Sequence, residues 1–124
     1  MEEKGKPESC RPYDLEERTF LLAKETREFV KKLPKTAGNF EDIGQLIRSS
    51  GSVGANYIEA NESVSRKDFL LRIKTCRKES KESAYWFRLL DTGGRAELES
   101  TRVRLLAEAR ELMNISAAIL RKSQ

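Results

Sequence analysis

Glu79 and Glu82 stand three residues apart, with Asn56 and Glu59 available from an earlier segment. Two carboxylates one helical turn apart can hold a divalent cation or share general acid–base work. Arg72 and Trp86 flank them on the same helical wheel, and further Lys and Arg side chains lie nearby. That setting favours salt-bridged carboxylates that tie helices together over a metal or an acid–base pair. The chain has no histidine, which excludes Ser-His-Asp and Cys-His nucleophiles, a Glu-x-x-His di-iron bundle and zinc sites that need His. Its two cysteines, Cys10 and Cys76, cannot supply a Cys₄ zinc site or a disulfide framework. Cys76 falls on an apolar helical face and reads as a buried structural thiol. Gly51-Ser-Val-Gly54 lacks the lysine of a phosphate loop, and Asp91-Thr-Gly-Gly-Arg95 follows a helix and reads as a turn. We expect no catalytic residues, no metal and no cofactor.

The remaining chemistry is positive charge. Residues 65–88 carry eight basic and three acidic side chains, a net of +5, whereas residues 1–64 net −2 and residues 89–124 net +1. At about 100° per residue, Lys67, Lys74, Lys78, Lys81 and Arg88 fall in one stripe about 80° wide. Arg66 and Arg77 flank it, Tyr85 lies within it, and Leu71 and Leu89 border it. Lysines and arginines in a row displace counterions from a phosphate backbone, and a tyrosine among them can stack on a base. A charge run is also the ordinary solvated face of a helix, so both readings stand at this point.

Four helices must position these residues. The 124-residue length gives one domain, and 35% of the residues are charged, above the usual ~25%. A chain of this size buries a modest core, to which neighbouring subunits can add. Residues 1–12 hold Gly5, Pro7 and Pro12 among mixed charges and read as a disordered tail or the remnant of an expression tag. The first helix is expected over 14–33, with Asp14 as N-cap and Leu15, Thr19, Leu22, Thr26, Phe29, Val30 and Leu33 on one face. Pro34 stops it.

The second helix is expected over 39–63, capped by Asn39 with Glu41 and Asp42 in its first turn. Ile43, Leu46, Ile47, Ser50, Val53, Gly54, Tyr57 and Ile58 share its apolar face. Ser65-Arg-Lys-Asp68 resembles a capping box opening a third helix over 66–90, which buries Phe69, Ile73, Cys76, Ser80, Ala84, Phe87 and Leu90. The fourth is expected over 98–121, on a stripe running from Leu98 through Leu105, Ala109 and Leu112 to Leu120. No segment alternates with period two long enough for a strand. Short loops make successive helices antiparallel, giving an all-α, up-down-up-down four-helix bundle. No apolar run reaches the ~18 residues of a membrane span. The N-terminus lacks the apolar segment of a signal peptide, so the expected compartment is the cytoplasm.

The second helix is unusual on its outer side, which reads Gln45, Arg48, Ser49, Ser52, Ala55, Asn56, Glu59. A water-facing helix ordinarily shows more Lys and Glu. Small residues at this density permit another helix to approach closely, and the simplest such neighbour is a second copy of the chain. Arg48, Ser52, Ala55, Asn56 and Glu59 are therefore the expected oligomer interface. A weakly polar solvent face is the plainer account.

Leu46-Ile-Arg-Ser-Ser-Gly-Ser-Val-Gly-Ala-Asn-Tyr-Ile-Glu-Ala60, followed by Ser65-Arg-Lys-Asp-Phe69, resembles the bacterial four-helix bundle proteins encoded in intervening sequences of 23S rRNA genes. Glu79-Ser-Lys-Glu-Ser-Ala-Tyr-Trp86, Asp14-Leu-Glu-Glu-Arg-Thr19 and Leu33-Pro34 resemble other segments of that family. The resemblance covers about residues 13–122 and is matched by pattern alone in the fourth helix. It implies antiparallel bundles assembled into homopentameric rings. The accessory variability protein of diversity-generating retroelements is similar, and implies a basic barrel that binds nucleic acid and a partner reverse transcriptase. Carried over position by position, Asn56, Glu59, Asp68, Phe69, Glu79, Glu82 and Trp86 look structural. Leu22 stands where phenylalanine is usual.

Two functions follow. One is a non-enzymatic homo-oligomeric scaffold, pentameric by resemblance, that binds RNA or DNA through Arg66, Lys67, Lys74, Lys78, Lys81, Tyr85 and Arg88, with little sequence specificity. The other is a protein–protein assembly module with no direct nucleic-acid role, in which Tyr85, Leu71 and Leu89 pack between subunits under lysine stems.

Overall fold

The computed structural model describes residues 12–123. The expected tail, with Cys10, lies outside them except for Pro12. Among the described residues the chain is all-α: α1 (Pro12–Val30), α2 (Ala37–Asn61), α3 (Arg66–Leu89) and α4 (Ala96–Ser123). Each helix packs on the next, and α4 closes on α1 through the sparsest of the four seams. Phe87, Leu22, Leu46, Ile73, Leu98, Leu105 and Val53 fill the middle, fully buried. They recur at helical spacing on all four helices, so one stripe from each faces a common core.

The contacts between neighbours run from the end of one helix to the beginning of the next. Near the end of α2, Asn56 meets Arg72 at the beginning of α3. Near its middle, Ser49 and Ser83 share a buried hydrogen bond of 2.9 Å. Across the closing seam Arg18 of α1 holds Glu108 of α4 at 2.9 Å, and Arg104 holds Glu25 at 2.8 Å.

The helix ends differ from expectation for local reasons. Helix α1 opens at Pro12 rather than at Asp14, since proline lacks only an N–H that the first turn would leave unbonded. It stops at Val30, with Lys31 and Lys32 in the turn beyond, because the residue before Pro34 disfavours helical backbone. The cap of α2 is Thr36, whose Oγ1 accepts from Asn39 N at 3.0 Å. The helix therefore begins at Ala37, and Glu41 and Asp42 lie past its first turn.

Asn39 does something else. Its Nδ2 donates to Pro34 O and Asp91 O, and its Oδ1 accepts from Asp91 N, each at 2.9 Å. This buried side chain ties the α1–α2 turn to the α3–α4 turn. The second turn is made by Gly93 and Gly94 at φ +67° and +75°, a region open to glycine at little cost. A Cβ at Gly93 would also lie 2.9 Å from Pro34 Cγ. At the start of α3, Ser65 Oγ accepts from Asp68 N at 3.0 Å, the N-cap half of the expected box, while the Asp68 carboxylate faces Arg72. Helix α4 runs two residues beyond expectation at each end.

Candidate nucleic-acid interface

Helix α3 lies between α2 and α4. Its inner side is fixed by Ile73, Cys76, Ser80, Ala84 and Phe87, all buried. That rotation leaves Lys67, Lys74, Arg77, Lys78, Lys81 and Arg88 exposed. Lys67 to Arg88 covers a length of about 32 Å at 1.5 Å per residue. None of these six cations forms an ion pair among the described residues. Arg66 is also exposed but is turned toward α4, where it donates to Ser123 O. The structure thus places Arg66 at the α3–α4 seam beside the start of the row, where it also shares a hollow with Lys67 and Lys74.

The acids of α3 are elsewhere. Asp68 faces Arg72 at 3.9 Å. Glu79 accepts from Arg48 of α2 at 3.2 Å, and Glu82 pairs with the same guanidinium. Glu82 also accepts from the Trp86 indole at 2.9 Å. Partial burial pulls the Glu82 carboxyl upward, but the bonds from Trp86 and Arg48 outweigh it and hold the group below the usual carboxylate range. The partnership with Glu82 raises Arg48 in turn. The two carboxylates are thus spent on one guanidinium, and among the described residues no three His, Cys, Asp or Glu side chains gather as a metal site.

Tyr85 stands in the basic row with 53% of its surface exposed. Its ring meets Trp86 at 4.9 Å between centroids and 71° between planes, an edge-to-face contact that steadies it. Leu71 and Leu89, also exposed, border the row toward its two ends. Near the start of α3, Arg66, Lys67, Leu70, Leu71 and Lys74 line an open hollow of about 690 Å³.

The outer side of α2 divides into two groups. Ala55 and Glu59 are exposed, and Ser52 is half-buried. Arg48 and Asn56 are engaged within the chain, Arg48 as above and Asn56 with Ser52 O at 2.9 Å and Arg72 at 3.2 Å. Ser49, read as outward, is fully buried against Ser83. Ile58, read as part of the buried face, is 51% exposed. It stands about 100° of helical rotation from Tyr57, on the edge of that face.

Some of the small residues of α2 therefore serve their own bundle. A Cβ at Gly54 would come within 2.9 Å of Thr19 Oγ1, so glycine there permits the close approach of α1. Phe20, Phe40 and Val64 are exposed, and sequence reasoning passed over them. Their signal was apolar character outside the periodic stripes. Cys76 is buried with its thiol on Val53 O at 3.4 Å, and burial pushes its pKa up to about 12. It is an inert packing group.

The fold and the surface describe an all-helical bundle with an uncompensated basic face and no assembled catalytic site among the described residues. Residues 13–118 match the model of the 23S rRNA-intervening sequence protein family, and the chain belongs to that family. A solved structure of a protein of unknown function from the S23 ribosomal protein family of Bacteroides thetaiotaomicron is similar. It shares 26% identity and a TM-score of 0.73, over 89% of this chain and 97% of the other. No curated protein matches. No described helix is long and apolar enough to cross a membrane.

Proposed function

We propose that the protein is a non-enzymatic, homo-oligomeric scaffold of the cytoplasm that binds nucleic acid weakly and without sequence preference. The subunit is an up-down-up-down antiparallel bundle, a reading supported by the end-to-beginning contacts between neighbouring helices. The ring, and its five subunits, rest on the family resemblance. Exposed Ala55, Glu59 and Ile58 on α2 supply the surface through which copies would meet.

The observation that carries the binding function is the sorting of charge on α3. Its acids are paired, while Lys67, Lys74, Lys78, Lys81 and Arg88 stand exposed without ion pairs among the described residues. A row of free cations releases condensed counterions from a polyanion. Repetition around a ring multiplies the field.

A salt titration with fluorescent RNA tests this. Affinity should fall steeply with salt, and Lys74→Glu with Lys78→Glu should abolish binding while leaving the helical circular dichroism intact. Binding that persists in this double variant removes the assignment to α3. The exposed Tyr85, Leu71 and Leu89 favour one second reading, a protein-assembly surface. It becomes the better account when the oligomer is stable and no RNA binds at low salt.

A further inference from the structure

We infer that the α3 face is a track for a single strand, in which the Tyr85 ring stacks on an unpaired base between phosphates held by Lys81 and Arg88. The inference rests on the nucleic-acid reading above and narrows it to one class of ligand.

Three features of the face support it. The first is the shape around α3. The major groove of B-DNA, about 12 Å wide, is already filled by one helix about 10–12 Å across, and the deep, narrow major groove of an RNA duplex is closed even to side chains. Helix α3 is packed against α2 on one side and α4 on the other. That leaves it less room to enter a groove than a helix standing alone, and a duplex would lie mainly against its outer face.

The second is the direction of the row. Lys74, Lys78, Lys81, Tyr85 and Arg88 follow one another at steps of about 4.5–6 Å along a straight axis. A duplex strand winds once around its axis in about 34 Å, so it leaves a straight row after a few phosphates. A flexible single strand can follow the whole row.

The third is the aromatic ring. Tyr85 is half exposed between Lys81 and Arg88, near the end of the row, and Trp86 holds it edge-to-face at 4.9 Å. Trp86 is itself anchored on Glu82, which Arg48 grips from α2. The ring is thus pre-positioned by a chain of contacts reaching the neighbouring helix. Inside a duplex both faces of a base are covered by its neighbours, and only the two terminal pairs leave one face open. Along a single strand any unpaired base can offer a free face, and stacking of that kind tolerates any sequence. Leu71 and Leu89 add exposed apolar surface toward the two ends of the row.

The test compares an unstructured RNA of about fifteen nucleotides, near the upper site size of one single-strand-binding fold, with a blunt RNA duplex of equal length. Both are measured at the same salt on the full-length protein. The single strand should bind several-fold tighter. Tyr85→Leu should weaken that binding about 5- to 150-fold, in line with loss of one stacked base, and leave duplex binding unchanged. Tyr85→Phe should retain wild-type affinity, which separates stacking from loss of fold. Equal or tighter binding of the duplex, with Tyr85→Leu silent, overturns the single-strand track and leaves the nucleic-acid function standing. Failure of both RNAs to bind at low salt overturns the two together.

Discussion

The Arg48 guanidinium holds two carboxylates and, through Glu82, an indole. The bonds from Trp86 and Arg48 overcome the effect of partial burial and lower the Glu82 pKa in the folded chain. A lowered folded-state pKa means that the stabilisation is present above the unfolded carboxylate value of about 4.3 and is lost as pH falls through the folded value. Glu82→Gln should therefore melt below the wild type at neutral pH. The deficit should be at most about 1 kcal/mol, since the side chain is partly exposed. It should shrink toward zero in acid. A deficit that stays constant across that range assigns the effect to packing of the side chain rather than to its charge.

At the scale of the element, the helices are specified by their interiors and trimmed by their ends. Burial of Leu15, Leu22, Leu46, Ile73, Leu105 and Leu112 follows from apolar residues at helical spacing, which a sequence displays directly. The ends of α1, α2 and α4 lie two or three residues from their expected places, because a cap depends on what the flanking turn touches. Asn39 is the instructive case. It has the chemistry of a cap, yet its partners are Pro34 and Asp91, the latter 52 residues away. Asn39→Ala would leave two carbonyls and an N–H without that partner at a closed end of the bundle. We expect a loss of about 2 kcal/mol, read as a lower denaturant midpoint at unchanged slope. An unchanged midpoint shows that water replaces the clamp.

At the scale of the whole molecule, one side of α3 is bound to the bundle and the other is available to a ligand. The row was legible in the sequence, because a helical wheel shows cations opposite an apolar face without tertiary knowledge. The pairing of Arg48 with Glu79 and Glu82 was not, since a wheel drawn for one helix carries no information on its rotation against the next. The same limit explains why Ser49, read as outward, packs inward on Ser83. For assembly, the residues to perturb are accordingly those of α2 that remain outside the bundle. On the proposed assembly, Ser52→Trp with Ala55→Lys should reduce the mass measured by light scattering from that of an oligomer to that of the 14.2 kDa subunit while the helical content holds. A variant that keeps an oligomeric wild-type mass places the subunit contact on another face, and a wild type that already has the mass of one subunit overturns the assembly.

The charges that hold α3 in place and the charges it shows to solvent are largely different residues. Apart from Lys78, whose charge helps to keep Glu82 ionised, the exposed row touches no ion pair of the bundle, and such surface changes ordinarily move stability by less than about 0.5 kcal/mol. Mutation can therefore redraw this face, adding, moving or erasing its cations, while the architecture beneath is inherited unchanged. Related bundles descended from one ancestor are free to diverge in what they hold without having to re-evolve how they fold.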